Sequence, residues 1–187
     1  MADLIAQQEA GCGTSATRRT AGRGGREMTR FRCVPIETAT ADRFRLTGFD
    51  DRGNPIRRII ATASGQFPCR HCLELAKAGE SMLLGSYDLR QPLGIYWTPS
   101  PIFLHERDCP YTETVDAVAP IVRANPLVSV RAYDAGHLCL YDLGQVCPGG
   151  DVAEPLRRAF DDPRTLFVNI HTARPGCLLS RVERVTD

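Results

Sequence analysis

Two pairs of residues of the types that bind metals stand in the middle of the sequence. Cys69-x-x-Cys72 is followed by His105-x3-Cys109, and three thiols with one imidazole suit a tetrahedral zinc site. A regular strand at the first pair would turn Cys69 and Cys72 to opposite faces, where they cannot bind one ion. Pro68 permits a turn that would remove this obstacle. A zinc site is therefore one hypothesis, although we expect purified protein to carry less than one equivalent of metal.

A second candidate site lies at the last predicted hairpin. His171 and Cys177 flank the loop 172–176, and residues opposed across an antiparallel pair have Cβ atoms about 4.5 to 5.5 Å apart. An imidazole at that distance lowers the pKa of a thiol, and Asn169 shares the face of His171. The pattern makes His171 and Cys177 candidates for nucleophilic catalysis. The alternative is that Cys177 is a small apolar filler.

Arginines near both sites form a third candidate. Arg70, Arg131 and Arg181 lie on or beside predicted strands, and guanidinium groups hold carboxylates and phosphates through charge-assisted hydrogen bonds. Together with Cys69 they are candidate ligand-binding residues in a pocket for a small anionic molecule. The alternative is ordinary pairing with surface acids. The acids available for such pairing are Glu80, Glu106 and Glu183.

Several common functional signatures are absent from the sequence. It has no glycine-rich phosphate loop, no His-Glu-x-x-His pair and no Gly-x-Ser-x-Gly elbow. The first 32 residues carry six arginines and three acidic residues, whereas the remainder carries 17 basic and 19 acidic residues. The body therefore lacks the basic surface expected of a nucleic-acid partner. The sequence does not decide the oligomeric state or whether the protein is an enzyme.

The pattern of apolar residues predicts an α+β fold, with a mostly antiparallel sheet and one or two short helices, because strict βαβ alternation is missing. Predicted strands cover 30–36, 56–63, 69–75, 81–87, 102–105, 127–133, 138–146, 165–171 and 177–185, and predicted helices cover 38–46 and 152–160. Residues 1–27 lack apolar periodicity, and we expect them to be a disordered arm. Residues 28–187 then form a single domain.

Composition predicts the setting in which the protein works. No apolar run reaches the roughly 18 residues of a membrane span, and no signal-peptide stretch opens the sequence. We therefore expect a cytoplasmic protein without a membrane partner, whose eight cysteines form no obligatory disulfide. Lys77 is the one lysine among 23 basic residues, which together with abundant alanine suggests a GC-rich bacterial genome.

Five segments, in order, resemble a known family. They are FPCRHCL (67–73), GE (79–80) with LLGSY (83–87), PIFLH (101–105), RAYD (131–134), and HTARPGC (171–177) ending in Arg181 and Arg184. On these segments the sequence is similar, from about Phe31 to Arg184, to the bacterial family of the domain of unknown function 1203. The resemblance implies no activity, but it marks motif positions, which are Cys69, Arg70, His171, Gly176, Cys177 and Arg181. Many members carry serine where this chain has Cys72, which favours a pocket over a family-wide zinc site.

The three candidate sites lead to three hypotheses of function. The first is a protein that binds or acts on a small anionic molecule, in a pocket near the Cys69-Arg70 segment and the terminal hairpin. The second is a zinc- or thiol-dependent module that uses the four Cys and His residues of the middle segment. The third is a structural or interaction protein without a catalytic site.

Overall fold

Two antiparallel sheets organise residues 30–185, the part of the chain that this computed structural model describes. The strands are β1 (Phe31–Val34), β2 (Arg57–Ile60), β3 (Ser81–Asp88), β4 (Pro99–His105), β5 (Thr114–Val115), β6 (Val128–Tyr133), β7 (Gln145–Cys147), β8 (Phe167–Thr172) and β9 (Leu178–Arg184). The helices are α1 (Thr38–Thr47), α2 (Pro120–Arg123) and α3 (Ala153–Asp161). The predicted α+β class is confirmed, while the predicted arm lies outside the described residues.

The helices are short. Helix α1 has ten residues, α3 has nine and α2 has four, and the two predicted helices, 38–46 and 152–160, are confirmed. Helix α2 begins at Pro120, a residue that suits a first helical position because its missing N–H has no partner there in any case. Among residues 30–185, no helix has the length and apolar character needed to cross a bilayer.

The larger sheet has six strands in the order β5-β1-β9-β8-β6-β7, and all neighbouring strands are antiparallel. Alternate residues of a strand share a face, so Val128 and Val130 of β6 and Ile170 of β8 line one apolar side. Helix α3 covers this side with Leu156 and Phe160, which lie four residues apart and therefore on one stripe of the helix. The first core lies between this sheet and α3.

The opposite face of β8 is polar and yet buried. Asn169 and His171 alternate with Ile170, and each exposes only 1% of its surface. Arg131 of β6 lies in register with Asn169 on one side, and Arg181 of β9 lies in register with it on the other. Buried polar groups normally have hydrogen-bond partners. This row of buried polar side chains is therefore a candidate surface for binding a polar molecule.

The smaller sheet contains β2, β3 and β4, again antiparallel. Helix α1 ends at Gly48, whose φ of 70° is left-handed, and it packs Phe44 into a second core with Met82 and Ile102. Cys69 and Cys72 belong to the same core. The segment that carries the first pair of candidate metal ligands is therefore part of the wall of the second core.

The predicted strand at 138–146 is wrong over most of its length. Oδ1 of Asp134 accepts hydrogen bonds from the backbone N–H groups of Gly136 and Leu138, which holds this part of the chain as a turn. A single helical turn follows at Tyr141–Leu143. Within this segment β7, at Gln145–Cys147, pairs with β6, while Cys139 forms an isolated bridge with Tyr133. A side chain that accepts local backbone bonds thus competes with the extended conformation.

Candidate metal centre

The Cys69–Cys72 segment is a tight turn, so the predicted strand at 69–75 is wrong. The backbone N–H of Leu73 donates to the carbonyl of Cys69 at 3.1 Å, and the N–H of Cys69 donates to the carbonyl of Glu74 at 2.9 Å. Leu73 has a φ of 59°, which reverses the chain direction after the second cysteine. The opposite-face argument against a metal site therefore does not apply to Cys69 and Cys72.

The turn is fastened to strand β4. Cys69 forms a parallel bridge with Phe103, and the backbone N–H of Arg70 donates to the carbonyl of Phe103 at 3.0 Å. His105 lies two residues further along β4 and therefore reaches the turn, where its backbone N–H lies 3.5 Å from Sγ of Cys69. Backbone hydrogen bonding thus brings together residues that are far apart in the sequence.

Four candidate ligand atoms meet at this point, one each from Cys69, Cys72, His105 and Cys109. All lie within 4.8 Å of one another. Sγ of Cys69 is 3.9 Å from Sγ of Cys109, and Sγ of Cys72 is 3.4 Å from Nδ1 of His105. A tetrahedral zinc site with ordinary bond lengths has sulfur–sulfur distances of about 3.8 Å and sulfur–nitrogen distances of about 3.5 Å. This Cys3His cluster can hold a metal ion.

A carboxylate lies behind the imidazole of the cluster. Nε2 of His105 is 3.2 Å from Oε2 of Glu80, while Nδ1 of the same ring faces the cysteines. Metal-binding histidines usually donate their second N–H to a carboxylate or carbonyl, which fixes the tautomer and the orientation of the ring. Glu80 thus lies where it can accept the second N–H of a metal-binding His105.

The sulfur of Cys109 has two polar neighbours outside the cluster. Nη2 of Arg45 donates to it at 3.3 Å, and Nδ1 of His71 lies 3.3 Å from it. Arg45 also donates through Nε to the carbonyl of His105 at 3.2 Å, while Nε2 of His71 lies 3.0 Å from the hydroxyl of Thr38. A guanidinium beside a thiolate stabilises its negative charge.

The thiols and the imidazole of the cluster already influence one another's protonation. Hydrogen bonds from Cys109 and then Cys72 lower the pKa of the Cys69 thiol, and the bonds to Cys109 and Cys69 raise the pKa of Cys72. The same sulfurs, Cys109 first, raise the pKa of His105 to about 10. The cluster therefore favours separated charges, a thiolate at Cys69 beside a protonated imidazole.

The comparisons with known proteins identify the family. A family model described as "Protein of unknown function (DUF1203)" matches residues 66–184 of the 187-residue chain. The chain belongs to this family. All four cluster residues lie inside the DUF1203 range, as does the terminal hairpin. No curated protein and no solved structure matches the chain.

Only two of the predicted ligand-binding residues of this DUF1203 protein meet at a cavity. Arg70 and Arg181 line a space of about 50 Å³ between the β1–α1 connection, the end of β3, and strands β8 and β9. Arg131 instead borders a separate groove with Tyr133, and Cys69 belongs to the Cys3His cluster. Arg131 is separated from the cavity because it lies on the far side of Asn169 from Arg181.

Arg70 is buried behind the turn with 3% of its surface exposed. Its Nε donates to the carbonyl of Leu178 at 2.8 Å, and its Nη1 donates to the carbonyl of Pro68 at 2.6 Å. Burial lowers the pKa of Arg70 to about 10, so the group stays charged at neutral pH. Arg70 thus links the turn that contains Cys69 and Cys72 to the start of β9.

His171 and Cys177 are not opposed, so that prediction is wrong. A β-bulge between Ile170 and His171 shifts the register, and His171 pairs with Leu178. Cys177 is then the last loop residue, held by its N–H to Oγ1 of Thr172 at 3.0 Å. Nδ1 of His171 lies 2.9 Å from the carbonyl oxygen of Gly176. Burial first, and then the charge of Arg131, lowers the pKa of His171 to about 4.

Three residues around the Cys3His cluster were not predicted from the sequence to take part in it. Glu80 was considered only as an ion-pair partner, and Arg45 and His71 were given no part. His71 lies between the two cysteines of the CRHC segment, and its position there was the one available sequence signal. Arg45 lies in α1 and Glu80 directly precedes β3, so only the fold brings them to the cluster.

Proposed function

We propose that this protein binds one zinc ion through Cys69, Cys72, His105 and Cys109. The observation that carries the proposal is the convergence of these four ligand atoms within 4.8 Å at separations close to those of a tetrahedron. Three thiolates and an imidazole are a soft ligand set of the kind that zinc prefers. Harder cations such as magnesium and calcium take oxygen ligands instead.

The proposed role of the metal is structural. Four protein ligands fill a tetrahedral zinc site, whereas a catalytic site keeps one position for water or substrate. The cluster also joins three parts of the second core, which are the turn after Pro68, the end of β4, and the loop that contains Cys109. Three thiolates exceed the charge of the ion by one, and the Arg45 guanidinium beside Cys109 offsets this excess.

Metal analysis of the full chain tests the proposal. Protein purified with zinc present and then freed of loosely bound metal should retain about one zinc per chain, more than the sequence alone led us to expect, because the four ligand atoms converge. A chelator should lower its melting temperature. Cys109→Ser should lose most of the metal and part of the stability. Cys139→Ser is the matched control, because Cys139 is half-buried and lies outside the cluster. Equal metal contents in the two variants would refute the proposal. So would a wild-type protein whose melting temperature stays the same after its metal is removed.

A second candidate function is the binding of a small anionic molecule near Arg70 and the terminal hairpin. The observation that favours it is that Arg70, Arg90 and Arg181 line one cavity together with a single acid, Glu37. This function does not depend on the metal, because none of the four cluster residues lines the cavity. Binding of simple anions to the wild-type chain, measured by calorimetry, tests it.

A further inference from the structure

The cavity beside Arg70 has a charged entrance and a buried polar wall. Glu37 and Arg90 are exposed and form an ion pair at 3.2 Å, so they lie at the solvent end. Asn169 and Arg181 form part of the inner lining. The lining contains three arginines and one glutamate. Since Arg90 pairs with Glu37 and Arg181 pairs with Glu183, the excess of positive charge that favours an anion is that of Arg70.

Two guanidinium groups have donors left for a bound molecule. Nε of Arg181 is buried and has no hydrogen-bond partner within residues 30–185, although Nη2 of the same group pairs with Glu183 at 2.9 Å. Arg70 uses Nε and Nη1 on backbone carbonyls, and its Nη2 makes no hydrogen bond to the described part of the chain. A buried donor without a partner costs stability, so an acceptor from outside the chain is the expected occupant.

Asn169, the register partner of Arg181 on the neighbouring strand, offers an acceptor in the same inner lining. Asn169 exposes 1% of its surface, and its Nδ2 donates to the backbone carbonyl of Gln91 at 2.9 Å. This bond fixes the orientation of the amide, because turning it over would place two oxygens against each other. Oδ1 of Asn169 is therefore the remaining polar atom, and within the described residues it is buried without a partner.

We infer that the cavity binds a small oxyanion that also carries a hydroxyl group, with the anionic oxygens on Arg181 and Arg70 and the hydroxyl donating to Oδ1 of Asn169. The inference rests on the second candidate function and names its ligand class. A cavity of about 50 Å³ has room for only a few non-hydrogen atoms. Short hydroxy acids and hydrogen phosphate combine these two features at this size.

Matched pairs of probes test the hydroxyl directly on the wild-type chain. Calorimetric titration with glycolate and acetate compares two carboxylates that differ by one hydroxyl, and hydrogen phosphate with sulfate makes the same comparison for tetrahedral anions. Glycolate should bind about tenfold more tightly than acetate, and hydrogen phosphate about tenfold more tightly than sulfate, since a buried hydrogen bond changes an affinity by about that factor. A preference for glycolate alone or for phosphate alone identifies which of the two sources of this chemistry the cavity accepts.

The variant Arg181→Met removes the unpartnered donor and should weaken glycolate and phosphate binding by about tenfold or more. The control is Arg174→Met, which makes the same change of charge on an exposed loop residue and should bind as the wild type does. Zinc content, measured on the same samples, should be equal in all three proteins.

Equal binding within each probe pair would overturn the hydroxyl inference and leave the second candidate function standing. Absence of binding by all four probes would overturn both. Equal weakening in the two arginine variants would show that binding reflects overall charge and not the cavity.

Discussion

The imidazole of His105 lies between a thiol and a carboxylate, with Nε2 3.2 Å from Oε2 of Glu80. The carboxylate itself is held by the backbone N–H of Lys77 at 2.7 Å, so it is fixed by the turn that precedes β3. A ring that binds a metal is neutral, and an acceptor in this place then keeps its one proton on Nε2 and leaves Nδ1 available toward the cysteines. The Glu80–His105 contact therefore sets which nitrogen can bind a metal.

Glu80→Gln should weaken zinc binding by about 10- to 100-fold, because an amide is a poorer acceptor for the imidazole N–H than a carboxylate. Competition with a chromogenic chelator measures the affinity. Glu74→Gln is the matched control, since Glu74 borders the same open side of the cluster and, within residues 30–185, its side chain makes no hydrogen bond or ion pair with a candidate ligand. An affinity that is unchanged in Glu80→Gln would show that Glu80 does not position His105.

Asp50 should govern part of the acid stability of the protein. Its carboxylate, 9% exposed, accepts backbone N–H bonds from Ser86, Asn54 and Arg52 at 2.8, 2.8 and 2.9 Å. Burial alone would raise the pKa of Asp50, but these hydrogen bonds outweigh it and the pKa is lowered. The stabilisation is thus complete above the unfolded pKa of about 3.9 and is lost as the pH falls through the folded pKa.

Asp50→Asn should lower the free energy of unfolding at pH 7 by about 1 to 3 kcal/mol, because one acceptor oxygen becomes a donor that faces other donors. Its stability should also depend less on pH below about 5 than that of the wild type. Urea unfolding at several pH values measures both effects. Asp151→Asn, at an exposed position, should change neither, and parallel pH curves for the Asp50 variant and the wild type would contradict the prediction.

The elements with a clear periodicity were predictable from the sequence. The alternation of Val128 and Val130 and the spacing of Leu156 and Phe160 record burial on one face, and both elements form where expected. The turn at Cys69–Cys72 was not predictable, because its shape depends on hydrogen bonds to Phe103, more than thirty residues away. The sequence thus showed which residues could bind a metal, but it did not show that their side chains lie close together.

The position of the terminal hairpin was predictable from the sequence, but its strand register was not. Its existence and approximate ends follow from the strand pattern, but a bulge at Ile170 and His171 moves the register. A shift of one residue changes which side chains meet, and no residue in this segment signals the bulge. The fold of the hairpin was therefore predictable to within its register, and the predicted pairing of His171 with Cys177 was wrong because it depended on that register.

Alkylation of Cys177 should show no influence of His171 near neutral pH. The pKa of His171 is lowered to about 4, so the ring is neutral between about pH 5 and 8 and supplies no positive charge to a thiolate. The rate of reaction with iodoacetamide at pH 7, followed by mass spectrometry of the Cys177 peptide, should be the same in the wild type and in His171→Gln. A clearly slower reaction in the variant would instead support an interacting Cys/His pair. The peptide of Cys139, which is also half-buried, is the internal control.

Gly149→Ala should destabilise the protein by about 3 kcal/mol, because a Cβ there would collide with the backbone carbonyl oxygen of Val122 and lie 2.7 Å from that of Asn125. Neither carbonyl can move easily, because that of Val122 accepts from the N–H of Asn125 after α2 and that of Asn125 accepts from the N–H of Gly149 itself. Gly150→Ala is the adjacent control, where an added Cβ meets nothing within 4 Å. Thermal unfolding measures the difference, and similar melting temperatures for the two variants would contradict the prediction.

The order of the four cluster residues along the chain has a consequence for the unfolded state. Cys69 and Cys109 are separated by 40 residues, and the chain between them contains all of β3 and β4. A metal held by both ends of this segment closes a loop, and a covalent cross-link of that span removes about 4 kcal/mol of chain entropy from the unfolded ensemble. A zinc cross-link at this position restricts the chain in the same sense without the oxidising environment that a disulfide requires.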